Sequence, residues 1–323
     1  MASDLPVLAG GAAAATAGAA ALIGVAVRRR SAGPFLASGH ALTRSPDTDP
    51  LPGVLRRGLG GMTVAVRPGP HGELFIGPGL PQPGRTLRRL VLTPLFTRAW
   101  ARGGRLSRDQ RSPFRLAVEF AGPYQEPATL LRAFRMLDRQ LRDHLELLSG
   151  CVDGRMQAGA VTVTVTGIVD VRELLAEQRR RYAFVEATFD DVGSASTPVT
   201  LAPLVSEAWG RRFGWDGREA IPAEERHLLH GLVREAHAEG RTVRMSGLPA
   251  GPARIRRAVW SELAAARVDV IADTDHAGLV KFLRQLPAPR PAVVVRAEPR
   301  TRRPPSPRPV KIATNQAVEV NGR

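Results

Sequence analysis

Cysteine is almost absent from this sequence, which holds only Cys151. An intramolecular disulfide and a cysteine-based zinc cluster are therefore excluded. A single cysteine is compatible with the cytosol, but it does not exclude export, because a chain of this length buries a large core without disulfides. Aromatic residues are also scarce, at 5%, and none is interleaved with the basic runs. This excludes a stacking platform for single-stranded nucleic acid, and nucleic acid is not an expected partner.

Acidic residues are in the minority, with 30 Asp and Glu against 46 Lys and Arg, and the formal net charge is +16. Lysine is rare, so nearly all of the basic residues are arginine. Part of this bias is typical of a GC-rich genome, but a basic surface also attracts anionic lipid. Hydrophobic residues make up 43% of the 323 residues, enough for a sizeable core in one large domain or two modest ones.

Charged residues are missing from Leu5 to Val27, a run that is followed directly by Arg28-Arg29-Arg30. About 20 apolar residues span a bilayer as a helix. A secretory signal carries its positive charge before the apolar run, whereas here the charge follows it. The positive-inside rule then favours a cytoplasmic domain. We predict that residues 1–34 form a membrane anchor with an arginine-rich flank; the alternatives are a poor signal peptide of a secreted protein and a misassigned start.

Strand and helix patterns alternate between Phe35 and Leu286. Val161 to Thr166 alternates Val and Thr, which is strong strand chemistry. Pro222 to Glu239 is a predicted helix with Pro in its first turn and Gly240 after its end. The same patterns predict further strands at Phe35–Ser38, Met62–Val66, Leu74–Ile76, Arg115–Phe120, Tyr182–Val185, Thr242–Met245 and Val268–Ala272, and helices at Ala128–Leu148, Val171–Arg180, Pro252–Arg267 and His276–Leu286. Ser206, Glu207 and Trp209 are assigned to a loop.

This alternation indicates parallel strands joined by helical crossovers. Roughly eight strands in about 250 residues is the size of a (β/α)₈ TIM-type barrel, regular or irregular. A doubly wound sheet is the alternative, but it usually has a glycine-rich phosphate loop after its first strand. Here the glycine-rich segment 58–61 precedes a strand instead. We predict an α/β barrel over residues 35–286, and a disordered tail rich in Pro and Arg over residues 287–323.

One segment carries a family resemblance: Pro203–Trp209 reads Pro-Leu-Val-Ser-Glu-Ala-Trp, and Phe213–Gly217 follows it. This pair is similar to a segment of phospholipase-C-like phosphodiesterases, the superfamily of glycerophosphodiester phosphodiesterases and phosphatidylinositol phospholipases. More narrowly, it resembles bacterial relatives of altered inheritance of mitochondria protein 6. Further segments agree in order, from about residue 35 to 286: Gly84–Leu87, Leu92–Leu95, Gly159–Val163, Tyr182–Phe184 and Val268–Asp275.

The resemblance implies a barrel site that holds Ca²⁺ or Mg²⁺ and two histidines. His40 stands where the first histidine is expected, and Glu119 where a metal ligand is expected on a later strand. A polar loop residue is the alternative role for His40, and a strand-end charge paired with an arginine is the alternative for Glu119. The other expected groups are missing: an acidic pair, a second His with its acid, and a Lys fall on Val64, Val66, Pro78, Gly79 and Ala121.

Further polar and aromatic residues are candidates for substrate binding. The arginines would partly replace a metal electrostatically, and the tryptophans would line a cleft or pack in the core. The aspartates would point into the barrel mouth or cap the last helix. These candidates are Arg44, Arg67, Trp209, Trp215, Asp273 and Asp275.

Three functional hypotheses follow. The first is a phosphoric diester hydrolase-like barrel protein of lipid or glycerophosphodiester metabolism whose active site is degenerate and catalytically impaired. The second is an active metal-dependent phosphodiesterase with a rearranged site around His40, Glu119 and Asp273 or Asp275, using Ca²⁺ or Mg²⁺. Both would take a phosphodiester or an anionic lipid head group as ligand. The third is a basic membrane-surface or scaffold protein that binds anionic lipid.

Overall fold

Eight parallel strands close into a barrel in the computed structural model, which describes residues 33–43, 50–77, 80–120, 126–166 and 171–286. Each strand pairs in parallel with the next one, and the last pairs back with the first, with Gly39 opposite Ile271. The predicted (β/α)₈ barrel is therefore confirmed, because a doubly wound sheet stays open. The strands are β1 (Leu36–Leu42), β2 (Leu59–Pro68), β3 (Phe114–Phe120), β4 (Val161–Thr166), β5 (Phe184–Ala187), β6 (Leu204–Ala208), β7 (Thr242–Ser246) and β8 (Val270–Asp273).

Helices surround the barrel and bury their apolar faces against its outer wall. On the helix Pro127–Arg142, the side chains of Phe134, Leu137 and Leu141 are buried at helical spacing. The helix Ala223–Ala238 ends where the sequence predicts, because Gly240 takes a left-handed φ of 79° just beyond it. The helices are α1 (Pro50–Arg57), α2 (Thr93–Trp100), α3 (Pro127–Arg142), α4 (Val171–Glu177), α5 (Ala223–Ala238), α6 (Ala253–Ala265) and α7 (His276–Leu283), with a π-helical turn at Arg88–Leu92 before α2.

One predicted strand lies outside the barrel, and one segment that was assigned to a loop is a strand. Leu74–Ile76 is a strand, but it pairs antiparallel with β2 and lies outside the closed barrel. The segment that holds Ser206 and Glu207 is the barrel strand β6 and not a loop. Its polar residues masked the strand pattern, because Ser206 lies in a polar lumen and Glu207 is buried beside the arginines that follow it.

Side chains alternate along each barrel strand between the lumen and the helices. On β2, Val64 and Val66 belong to the apolar core under the helices, whereas Thr63 bonds to His40 inside the lumen. Gly61 also faces the lumen, where a Cβ atom would lie 2.6 Å from the Arg115 carbonyl oxygen and 2.6 Å from His40 Nδ1. The lumen is thus narrow at this level, and its lining is polar.

The predicted anchor at Leu5–Val27 and the predicted tail over residues 287–323 lie outside the described residues. Within the described ranges, none of the helices combines the length and apolarity that a membrane span requires.

Candidate functional site

A buried ion pair occupies the lumen. Arg244 on β7 contacts Glu186 on β5 at 2.6 Å, and their side chains are 5% and 7% exposed. The Arg244 guanidinium also donates to the Ser206 hydroxyl of the intervening strand β6, at 2.8 and 3.1 Å. The Thr164 hydroxyl of β4 donates to the other Glu186 oxygen at 2.8 Å. These four side chains, the lumen cluster, join four neighbouring strands across the inside of the barrel.

Two buried nitrogens in the lumen lack a hydrogen-bond partner among the described residues: Nη1 of Arg244 and Nδ1 of His40. Buried polar groups of this kind are nearly always hydrogen-bonded, to protein or to ordered water. A guanidinium only donates, and a neutral imidazole nitrogen donates or accepts according to its tautomer. The lumen therefore has unused hydrogen-bonding capacity for water or for a small polar ligand.

His40 is fully buried on β1, and its Nε2 atom lies 2.8 Å from the Thr63 hydroxyl. Burial holds the pKa of His40 well below its ordinary value, and the positive charges of Arg244 and Arg115 and the nearby His276 lower it further. The imidazole is accordingly neutral at physiological pH. It has no proton to give as an imidazolium acid.

His40 makes folding stability depend on pH. Its pKa is lowered in the folded state, whereas in the unfolded chain it has the ordinary value of about 6.5. Just below about pH 6.5, only the unfolded chain binds this proton. The stability present above that pH is therefore lost as the pH falls. We expect the wild type to lose about 1 kcal/mol more than His40→Gln between about pH 7.5 and 5.5. Urea unfolding of both proteins at the two pH values measures this; identical losses would contradict a buried neutral His40.

Glu119 lies far from His40 along the barrel. His40 is opposite Gly61, whereas Glu119 is opposite Ala65, four residues further along β2. Four strand residues span roughly 13 Å. Glu119 is exposed near the end of β3, and Arg67 is buried near the end of β2. The structure therefore places Glu119 and Arg67 at the mouth and His40 deep in the lumen, beneath them.

The side chains of Asp273 and Asp275 bond to the helices outside the barrel and not to the lumen. Asp273 is 3% exposed and accepts hydrogen bonds from Arg256 Nη1 at 2.5 Å and from Trp260 Nε1 at 3.0 Å, both on α6. It therefore faces the helices, and the expectation that it points into the mouth is corrected. Asp275 caps α7, where its carboxylate accepts from the Gly278 amide at 2.9 Å. The capping alternative thus holds for Asp275, as its position before His276 predicts.

The two candidate tryptophans pack in an aromatic cluster after β6. Trp209 stacks on Phe213 with ring centroids 4.3 Å apart, and its Nε1 donates to the Trp215 carbonyl at 2.8 Å. Trp215 Nε1 donates to the Glu219 carbonyl at 2.9 Å. The exposed fractions of Trp209 and Trp215 are 2% and 8%, so both follow the core-packing alternative. Arg44, the remaining candidate, lies outside the described residues.

The lumen cluster was not predicted, although the sequence contains a signal for it. Arg244 stands at the centre of the predicted strand Thr242–Met245, and Glu186 stands in an otherwise apolar strand. Charged residues are almost never fully buried unless they are paired. A charge in the middle of each of two barrel strands therefore predicts an ion pair, but sequence alone does not say which strands come together.

The donor set of the described lumen does not fit a hard divalent cation. Ca²⁺ takes about six to eight oxygen ligands, several of them anionic. Glu186 is engaged by Arg244, and across the described ranges no group of three His, Cys, Asp or Glu is arranged to hold a metal. Val64 and Val66 face the core, so the lumen positions of β2 are Thr63, Ala65 and Arg67, which include no carboxylate. Pro78, Gly79 and Ala121 lie outside the described residues.

Comparison with known proteins finds distant structural similarities. No model of a known protein family matches the sequence, and no curated protein matches it. The chain is similar to a Silicibacter pomeroyi DSS-3 protein assigned as a glycerophosphoryl diester phosphodiesterase, with 11% identity, 78% of this chain and 95% of that chain covered, and a TM-score of 0.41. It is also similar to malate synthase of Haloferax volcanii, with 11% identity, coverage of 72% and 52%, and a TM-score of 0.29. Both similarities are too distant to assign an activity.

Proposed function

We propose that this chain is a phosphodiesterase-like barrel protein that binds an anionic phosphoester group in its lumen and is impaired in metal-dependent cleavage. One observation carries the proposal: Arg244 is held rigidly by Glu186 and Ser206, yet its buried Nη1 has no partner among the described residues. A pre-positioned guanidinium donor recognises phosphate or carboxylate oxygens. The narrower resemblance, to relatives of altered inheritance of mitochondria protein 6, stays a prediction.

The charge of the lumen supports an anionic ligand. His40 is neutral in the lumen. The charged side chains that face the lumen include Arg67, Arg115, Arg244, Glu119 and Glu186. Glu186 neutralises only Arg244. Arg115 is partly buried below the cluster, where its guanidinium donates to the Ala37 carbonyl and is attracted electrostatically by Asp269. At the level of His40, the charges of Arg244 and Arg115 that act on the imidazole are positive, which favours a phosphate group over a cation there.

The same arrangement opposes phosphodiester cleavage by the route that the resemblance implies. Cleavage needs a base for the nucleophile and an acid for the leaving oxygen, both within hydrogen-bond reach of the substrate. His40 is sealed and neutral, and Glu119 lies roughly 13 Å away along the barrel. Neither the acid/base pair nor an anionic metal cradle is assembled among the described residues. This supports a protein that binds its phosphoester and leaves it intact.

The proposal is tested by binding and turnover together. We expect glycerol phosphate to bind the wild type in calorimetry, and the double variant R244M/E186Q to bind it 10- to 100-fold more weakly, because a charged hydrogen bond is worth about 1.5–3 kcal/mol. The double variant keeps the net charge of the lumen, so the loss reports the missing donor. Arg234→Gln, an exposed position on α5, is the control and should bind like the wild type.

Turnover separates binding from the active alternative. Glycerophosphocholine and phosphatidylinositol should remain uncleaved by the wild type with Ca²⁺ or Mg²⁺. Metal-dependent cleavage that His40→Gln abolishes would overturn the impaired site in favour of the active phosphodiesterase. Equal binding by the wild type and R244M/E186Q would overturn the lumen as the ligand site.

A further inference from the structure

The N-terminal end of the barrel carries an exposed arginine-rich loop. This basic loop, residues 101–113, connects α2 to β3 and therefore lies at the end of the barrel opposite the mouth. Arg102, Arg105, Arg108 and Arg111 are all exposed. Trp100, just before the loop, is 64% exposed, whereas the other three tryptophans of the chain are buried. An exposed tryptophan beside four arginines indicates a surface that interacts with another partner.

The arginine side chains of the basic loop are not paired with other described side chains. Within the part of the chain that the structure describes, none of the four forms a hydrogen bond or ion pair with another side chain. The single acid of the loop, Asp109, instead accepts from the Phe35 amide at 2.7 Å and from the Ser107 hydroxyl. Arg102, Arg105 and Arg108 line an open depression of about 360 Å³. Asp109 also attracts Arg111 electrostatically, so the loop, with four arginines and one acid, presents a net positive charge to its surroundings.

The described chain starts at the same end of the barrel. The Gly33 amide donates to the Arg56 carbonyl at the end of α1, and the Phe35 amide bonds to Asp109 of the basic loop. The side chains of Arg56 and Arg57 are also exposed there. In sequence, Gly33 follows Arg28-Arg29-Arg30 and the uncharged run Leu5–Val27 closely. Within the described residues, basic side chains of α1 and of the basic loop thus lie at the same end of the barrel as Gly33.

We propose that this N-terminal end of the barrel docks on an anionic membrane surface, with the arginines of the basic loop on lipid phosphates and Trp100 at head-group depth. Arginines near an anionic leaflet each contribute about fivefold to binding. Tryptophan is enriched at the membrane interface because its ring is amphipathic. A soluble polyanion would account for the arginines but not for the exposed Trp100, so a lipid surface is the better match.

Docking at this end sets the direction of the mouth. Parallel strands put the mouth and the basic loop at opposite ends of the barrel. The mouth would then open away from the bilayer. The phosphoester ligand would accordingly be a water-soluble molecule and not a lipid of the same membrane. This step rests on the function proposed above.

The experiment uses the full chain and vesicles of phosphatidylcholine with or without phosphatidylserine. We expect phosphatidylserine to strengthen binding, and high salt to remove most of that gain by screening. The triple variant R102Q/R105Q/R108Q should lose roughly 100-fold of the gain, since each arginine contributes about fivefold. R132Q/R135Q/R254Q removes the same charge from exposed positions on α3 and α6, and it should behave like the wild type.

Tryptophan fluorescence isolates the loop from any binding by residues 1–34. Brominated phosphatidylcholine mixed with phosphatidylserine should quench Trp100, because it is the exposed tryptophan, and Trp100→Phe should abolish that quenching. Equal loss of binding in both triple variants would overturn the proposal, as would unquenched Trp100 on bound protein. Failure of glycerol phosphate to bind the lumen would leave these vesicle results unchanged, so the two proposals fail separately.

Discussion

Arg244→Met is expected to lower the free energy of unfolding by about 3–5 kcal/mol, because it leaves the Glu186 carboxylate buried without its cation. The two side chains are 5% and 7% exposed, so bulk water solvates the orphaned carboxylate poorly. Domains of this kind are stable by only about 5–15 kcal/mol, so the loss is a large share of the total. Urea unfolding followed by circular dichroism measures it.

The double variant R244M/E186Q is the matched control for this prediction. It removes both charges, keeps an acceptor for the Thr164 hydroxyl, and should recover to within about 1–2 kcal/mol of the wild type. A double variant as unstable as Arg244→Met would mean that lost packing, and not an orphaned charge, explains the effect. The recovered stability is also what allows R244M/E186Q to report on ligand binding.

Asp273→Ala is expected to destabilise the fold by about 3 kcal/mol, because it orphans groups on α6. Its carboxylate is 3% exposed and accepts from Arg256 Nη1, from Trp260 Nε1 and from the Asp275 amide. Arg256 is partly exposed, so water satisfies part of the loss, which places the value at the lower end for a broken buried pair. Thermal and urea unfolding measure the change.

Asp275→Ala separates capping from the role of Asp273. Only the bond to the Gly278 amide is lost, so we expect about 1 kcal/mol, the usual worth of an N-cap. Neither variant should change the affinity of folded protein for glycerol phosphate, since both carboxylates serve the outer layer. Weaker binding by folded Asp273→Ala protein would restore Asp273 to the ligand site.

The regular elements were predictable where local chemistry is strong. Val161–Thr166 is β4 residue for residue, and the Pro and Gly around α5 mark its ends. Prediction was wrong where pairing decides the outcome. Leu74–Ile76 has the composition of a barrel strand but pairs antiparallel outside it, and β6 carries polar residues that a polar lumen and neighbouring arginines stabilise.

The site was less predictable than the fold. His40 was singled out from sequence, and the structure gives it a sealed, neutral position that sequence position could not reveal. Val64 and Val66 were compared with metal ligands, although both face the core. One residue of register decides between the lumen and the core, because side chains on a strand alternate. Arg244 and Glu186 lie 58 residues apart, and only strand order brings them together.

The class of the fold, the excess of arginine and the exclusion of an intramolecular disulfide could be read from the sequence. These follow from composition and from period, which are local properties of a chain. The tertiary structure alone decided which charges meet, because closure of the barrel sets strand neighbours, and the pleat sets which side chains enter the lumen. It also decided that the loop of residues 101–113 lies beside the start of the described chain, where the Phe35 amide donates to Asp109.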